Sequence, residues 1–586
     1  MIKLLRYMKA REWTYFAILV CFVVISVWCT LTMPDYMTKI TQLVETGGDM
    51  AEIWKYGGIM LAFAIGDAIC TVVVGFCTAK IAAYFSQRLR KAVYDRTVAF
   101  SMQEINNFST SSLVTRTTND IGQVIIAISM GMQVIMRAPI IAVWSVFKII
   151  DKGWQWVLVT VIAVVIVAGT IVICMIVATP RFKLIQMLTD KLNLVTRENL
   201  TGVRVVRAYN AEHYQEVKFD KANQEMTDNH LFTGRVMAYL SPTIQLVMSC
   251  TSLAVYWIGA HIIMNTTDVM GKIDNFSKLV VFMAYAMQLI MAFMMVAMVF
   301  IILPRAIVAA NRINEVLDIE PKILDGEFDN STTETGTVEF RNVSFSYPDA
   351  EEAVLKDITF KANKGETVAF IGSTGSGKST LINLVPRFFD TTEGEVLVDG
   401  MNVREYKQAD LHDKIGYVSQ KAILFKGTIA SNIDYGENAD VEANKDKIIH
   451  AMEVAQGKDI LEKQEEGIYA EVAQGGTNFS GGQKQRISIA RAVFKNPEIF
   501  IFDDSFSALD YKTDKVLRAC LKKETESATT LVVAQRIGTV KDADKIIVLD
   551  EGRIVGMGTH EELIKSCEVY QQIAYSQLSK EELLNA

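Results

Sequence analysis

The chain has 586 residues, a net charge of −7 and a positive mean hydropathy of +0.22. That length exceeds what one core organises, so at least two domains are expected; the absence of a basic block or of aromatic residues interleaved with basic ones argues against nucleic acid as a partner. The eight cysteines are scattered, with no CxxC pair or His ligand spacing, and read as small buried apolar side chains.

The first eleven residues carry Lys3, Arg6, Lys9 and Arg11 ahead of a full-length apolar run, the pattern of an uncleaved signal anchor. About 20 apolar residues are needed to cross roughly 30 Å of hydrocarbon. Runs at 14–34, 58–79, 124–147, 155–178, 241–263 and 279–303 qualify. A short turn at Asp151-Lys152-Gly153 joins the third and fourth. The long connections after the second and fourth runs are rich in helix formers and are expected to continue as helices out of the membrane.

Those connections also hold the cations: Lys80, Arg88, Arg90, Lys91, Arg96 and Arg116 in one, and Arg181 through Arg235 in the other. The opposite loops carry Asp35, Glu45, Asp49, Glu52, Asp268 and Asp274. The positive-inside rule therefore puts both connections, the N-terminus and whatever follows the sixth run in the cytoplasm. Asp67 and Arg137 lie within runs, where a lone charge is costly. An Asp67–Arg137 pair and a substrate-facing Asp67 are both open. Met287, Met291, Met294 and Met298 share a helical face in the sixth run, serving helix packing or forming a deformable apolar wall.

Residues 319–335 are polar and aperiodic, as a linker would be. Beyond them, Val368–Ile371 reads as a strand leading into Gly372-Ser373-Thr374-Gly375-Ser376-Gly377-Lys378-Ser379-Thr380, which fits GxxxxGK[ST]. Its glycines let backbone N–H groups curl around phosphates at a helix start. Lys378 can reach the β- and γ-phosphates, and Ser379 can ligate Mg²⁺. The apolar run Ile499–Phe502 ends in Asp503-Asp504, with Asp503 in position to hold Mg²⁺. Between them, Ser480-Gly481-Gly482-Gln483 opens a helix whose free N–H groups suit an anion.

With Phe479 in front, that last motif resembles the signature motif of ATP-binding cassette (ABC) proteins. Tyr347 resembles the aromatic residue that stacks on adenine. Gln420 resembles the Q-loop glutamine, which senses Mg²⁺ and the membrane half, and Ser507-Ala508-Leu509-Asp510 resembles the D-loop. By these motifs the chain is identified as a member of the exporter branch, of the multidrug and lipid type. The resemblance implies an α-helical transmembrane bundle (six helices, type I/IV ABC exporter fold) fused to an α/β phosphate-loop nucleotide-binding domain. The parts would be 1–318, the linker 319–335, a nucleotide-binding domain at 336–578 and a tail at 579–586. It also implies ATP and Mg²⁺ as ligands and a small hydrophobic or amphipathic substrate moved across the lipid bilayer. Two halves would pair, each phosphate loop facing the other half's Ser480–Gln483 and Asp510. Coupling helices are expected near 101–115 and 208–216, and the half-size layout favours a bacterial cell membrane.

The sequence departs from the family at the chemistry. The family's general base after the strand aspartate is Glu; here it is Asp504, whose carboxylate is withdrawn by roughly 1 Å, and displacement on that scale can cost about 10²-fold in rate. The family's switch histidine is Gln535, which can donate a hydrogen bond but cannot carry the proton. Gln474 stands where an acid is usual. Asp504, Gln535 and Gln420 are thus the candidate catalytic set of a slow site. The chain resembles the degenerate half of a heterodimeric exporter, whose partner would carry Glu and His. The alternatives are a homodimer with weak ATPase and an ATP-gated channel or sensor.

Overall fold

A computed structural model describes residues 1–577 except 151, 329–331, 333, 349 and 437, and the side chains except those of 2, 183, 186, 297, 298 and 300–302. Met298 of the methionine face, Asp151 of the short turn and the tail 579–586 fall outside the description. Two compact units divide the chain: Met1–Val98 with Thr110–Ile319, and Ala99–Ser109 with Glu320–Ala586.

The first unit is helical. The six apolar runs lie in α1 (Ala10–Glu45), α2 (Met50–Val98), α5 (Ile121–Ile150), α6 (Trp154–Thr201), α9 (Leu240–Asn265) and α10 (Val269–Asp318). All six are long and apolar enough to span a membrane. Val165 and Ile176 on α6 are more than 60% exposed, as expected of a helix whose solvent is lipid. With 49 residues in α2 and 48 in α6, a rise of 1.5 Å per residue gives about 70 Å, over twice the hydrocarbon thickness. The expected extension of these helices beyond the membrane is thus met.

Short helices fill the connections: α3 (Met102–Asn106), α4 (Thr110–Thr115), α7 (Val203–Ala208) and the longer α8 (Glu212–Ala238). Ser101 caps α3 and its own N–H donates to Glu104 Oε2 at 2.8 Å, a reciprocal capping box. The short helix of the second connection is α7, not 208–216. Asn210 takes a left-handed φ of 50°, which ends α7, so the predicted stretch straddles a turn and the start of α8.

Polar groups meet between the spanning helices. Arg137 Nη2 lies 3.9 Å from Asp67 Oδ1, so the two charges do face each other, but the shorter contact to Asp67 is from Ser26 Oγ, donating at 2.5 Å. Asp35, read above as a loop acid, is inside α1. There it accepts from Lys148 Nζ at 2.5 Å and Tyr285 Oη at 2.8 Å, tying α1 to α5 and α10. Met294 packs against the apolar cluster of Ala163, Val167 and Ile244, while Met291 is 38% exposed.

The second unit holds an antiparallel sheet ordered Leu355–Ala362, Val338–Phe345, Glu393–Val398, Met401–Asn402. Its larger sheet has six strands, in the order Arg553–Gly558, Lys545–Asp550, Thr367–Gly372, Thr529–Val533, Ile499–Asp503, Ile415–Val418. All neighbours pair parallel except the Arg553–Gly558 edge. Both faces are covered, so the inner strands are near-continuous apolar runs: Phe500 and Phe502 point into one core with Phe506 and Leu517, while Phe370, Ile501 and Leu531 point into another with Phe340 and Ile358 of the antiparallel sheet and Leu381 of the helix Lys378–Asn383. In register, Val533 pairs with Asp503 and with Phe370, and Leu549 with Gly372. The carboxyl ends of these strands therefore form one edge, the place where parallel sheets hold ligands.

Candidate nucleotide site

At that edge Gly372 leaves the sheet. A Cβ there would stand 2.0 Å from the Leu549 carbonyl oxygen, so only glycine lets the turn begin beside that strand. Gly375 and Gly377 take φ of 86° and 94°, and Gly377 caps the helix Lys378–Asn383 in the left-handed region. The loop curls around the Lys378 ammonium, which donates to the carbonyls of Gly372 at 2.9 Å and Ser373 at 2.6 Å and to Ser376 Oγ at 3.2 Å. Burial lowers the pKa of Lys378, while Asp504 and Asp503 nearby pull it up. A cation held this way at a helix N-terminus is an anion receptor. Thr374 and Gly375 at the loop crown are exposed.

Opposite the loop, Ser379 Oγ donates to Asp503 Oδ1 at 2.7 Å. Burial raises the Asp503 pKa, opposed by the Ser379 hydrogen bond; Asp504 raises it further and Lys378 lowers it. A buried carboxylate, a serine hydroxyl and a second carboxylate nearby form the hard-oxygen set that suits Mg²⁺, so the residues fit that ion.

Asp504 adopts a left-handed φ of 46° and is buried. Its Oδ2 accepts from two side-chain amides, Gln420 Nε2 at 3.1 Å and Gln535 Nε2 at 3.0 Å. Its main chain is also pinned: the N–H donates to the Val533 carbonyl at 2.9 Å and its own carbonyl accepts from Ser507 Oγ at 2.8 Å. Asp504, Ser507, Gln535 and Gln577 line one cavity of about 300 Å³. The three candidate catalytic residues are thus assembled at a single carboxylate oxygen.

Tyr347 shares a hydrogen bond of 3.0 Å with Thr380 Oγ1, and its ring stands edge-on to Phe345 and Phe389. That anchors an aromatic face next to the phosphate-loop helix. Ser480 caps the helix Gly481–Lys495, accepting from Gln483 N–H at 3.3 Å while Gln483 Oε1 accepts from the Ser480 N–H at 2.8 Å. Phe479 is buried in the core cluster. Asp510 caps the helix Tyr511–Glu524 through Thr513 N–H, which lowers its pKa. Among the described residues, no hydrogen bond links Ser480–Gln483 or Asp510 to this chain's own phosphate loop; Ser480, Gly481 and Asp510 are exposed, and Gly482 and Gln483 are half-buried. Gln474 is exposed beside Gly475, whose carbonyl accepts from Lys484 Nζ at 2.9 Å. Gln577 was not foreseen: it bonds the main chain on either side of Arg536, and nothing in its local sequence marks it.

A phosphate loop with an acidic partner strand, joined in one chain to six spanning helices, defines a membrane-embedded nucleotide-driven transporter. Comparison with known proteins agrees. Residues 16–315 match the family described as ABC transporter transmembrane region, and residues 355–507 match the family described as ABC transporter. An ABC transporter ATP-binding protein of Mycobacterium tuberculosis is 37% identical over 565 residues, covering 96% of this chain and 95% of its own length. An ATP-dependent lipid A-core flippase of Pseudomonas fluorescens is 30% identical over 515 residues, 88% of this chain and 84% of its own. A bacterial Atm1-family ABC exporter solved with ATP bound superposes with a TM-score of 0.80 at 22% identity, covering 98% of this chain and all of its own. The chain belongs to the ABC transporter family, with a multi-pass membrane region followed by an ATP-binding domain, and it has the fold of an ABC exporter.

Proposed function

We propose that this chain is the degenerate-site half of a heterodimeric exporter of hydrophobic or amphipathic molecules. It would hold ATP firmly, hydrolyse it slowly, and complete a competent site on a different partner chain. The observation that carries this reading is the double amide clamp on Asp504. Its Oδ2, the oxygen closest to Gln420 and Gln535, already accepts two hydrogen bonds, on a side chain one methylene shorter than the family's base. Neither departure touches the groups that take phosphate.

On this reading the adenine lies on Tyr347, and the phosphates lie in Gly372–Thr380, where Lys378 trades its loop carbonyls for phosphate oxygens. Ser379, Asp503 and Gln420 would hold Mg²⁺, which when bound would neutralise charge on the β- and γ-phosphates. Ser480–Gln483 and Asp510 would face the partner's nucleotide, and the partner would carry Glu and His where this chain has Asp504 and Gln535. The parts 1–318, 319–335 and 336–578 would act as membrane domain, linker and nucleotide-binding domain. The N-terminus and the nucleotide-binding domain would be cytoplasmic at a bacterial plasma membrane. Residues 99–109 of the first cation-rich connection share a compact unit with the nucleotide-binding fold, which supports one side for both. The lipid A-core flippase relatives support an amphipathic lipid as one substrate class.

The test is steady-state ATP turnover of the purified chain in lipid, beside the double change Asp504→Glu with Gln535→His. Slow turnover in the wild type and recovery in the double change support the reading. Brisk turnover by the wild type alone would make Asp504 a working base and favour a homodimer.

A further inference from the structure

Gln577, the last described residue of the helix Glu568–Gln577, reaches back to the segment that carries Gln535. Its Nε2 donates to the Gln535 carbonyl at 2.7 Å and its Oε1 accepts from the Ile537 N–H at 2.8 Å. One amide therefore splints the main chain on both sides of Arg536. The second bond meets a local need. Ile537 begins a short helix, Ile537–Val540, whose N-cap residue Arg536 provides no side-chain cap, so its first N–H has no partner within that helix. The Ile537 side chain is fully buried, and Gln577 stands in its own helix within a turn of the buried anchor Ala574, with Tyr570 buried one turn before it. Both ends of the splint are thus fixed to the core.

From this geometry we infer that Gln577 is a positioning residue of the switch segment. By holding the carbonyl of Gln535, it sets where that side chain stands against Asp504 in the 300 Å³ cavity that Gln577 also lines. The helix Glu568–Gln577 thereby controls the residue at the switch position, whatever its identity, because it grips main chain and not side chain. The inference rests on the site reading above only in treating residue 535 as the switch.

Hydrogen exchange and turnover test it on the full-length chain in lipid. Gln577→Ala is expected to raise exchange of the 535–540 amides about tenfold, the loss of one to two hydrogen bonds, while the helix 378–383 is unchanged. Gln577→Glu keeps an acceptor for the Ile537 N–H but loses the donor to the Gln535 carbonyl, so it is expected to restore protection at Ile537 alone and to leave the Gln535 side of the splint as loose as in Gln577→Ala. Added to the Asp504→Glu, Gln535→His background, Gln577→Ala is expected to lower kcat several-fold and leave KM for ATP in place. No rise in exchange, a uniform rise across the nucleotide-binding unit, or an effect on KM alone overturns the inference. If that background does not turn over, the heterodimer reading falls, and the exchange pattern of the two Gln577 variants decides this one.

Discussion

At the residue scale, two of the buried ionisable groups at the site, Lys378 and Asp503, have their charge disfavoured by burial. Lys378 is held by loop carbonyls and its charge is disfavoured by burial; a phosphate would replace neutral acceptors with charged ones. Lys378→Ala is therefore expected to weaken ATP binding about a hundredfold, measured with a fluorescent nucleotide. Asp503 presents the converse. Burial lifts its pKa above the ordinary carboxylate value, so across that interval the folded chain binds more protons than the unfolded one, and stability falls as pH rises. Asp503→Asn is expected to raise the melting temperature of the nucleotide- and metal-free protein at pH 7, to give no such gain below the ordinary carboxylate range, and to reduce Mg²⁺-dependent turnover. A melting scan at both pH values checks it. The identities of Asp504 and Gln535 were readable in the sequence. Their convergence with Gln420 on one oxygen was not, since the partners lie 31 and 84 positions away and meet only through strand order.

At the scale of elements, local rules explain most of what forms. Apolar runs of membrane length became spanning helices because lipid leaves the backbone no other partner. The phosphate loop formed where glycine alone fits. Gly372→Ala would drive a Cβ into the Leu549 carbonyl and is expected to cost about 1–3 kcal/mol, seen as a lower melting temperature together with weaker nucleotide binding. The short helix of the second connection, expected at 208–216 and found at Val203–Ala208, shows the limit of such rules. The break at Asn210 is set by one left-handed residue in an otherwise helix-forming stretch, and asparagine is only weakly marked for that role. Asp35 went the same way: charge suggested a loop, but Lys148 and Tyr285, more than a hundred residues distant, pay for its place inside α1.

For the whole molecule, the cation-rich connections and the nucleotide-binding unit are expected on one side of the membrane. In a cysteine-free background, Gly47→Cys should react with a membrane-impermeant thiol reagent on intact cells, and His213→Cys only after permeabilisation. Both residues are exposed. The reverse pattern would invert the topology. The central claim concerns what happens to ATP once it is bound. The most direct measurement loads the lipid-embedded chain with γ-labelled ATP and Mg²⁺, removes free nucleotide, and follows release of labelled phosphate through a single turnover. Retention of intact ATP by the wild type, with phosphate release at least about tenfold faster after Asp504→Glu and Gln535→His together, is the result expected of a degenerate half. Equally fast phosphate release from both proteins would contradict it and make this chain a complete motor.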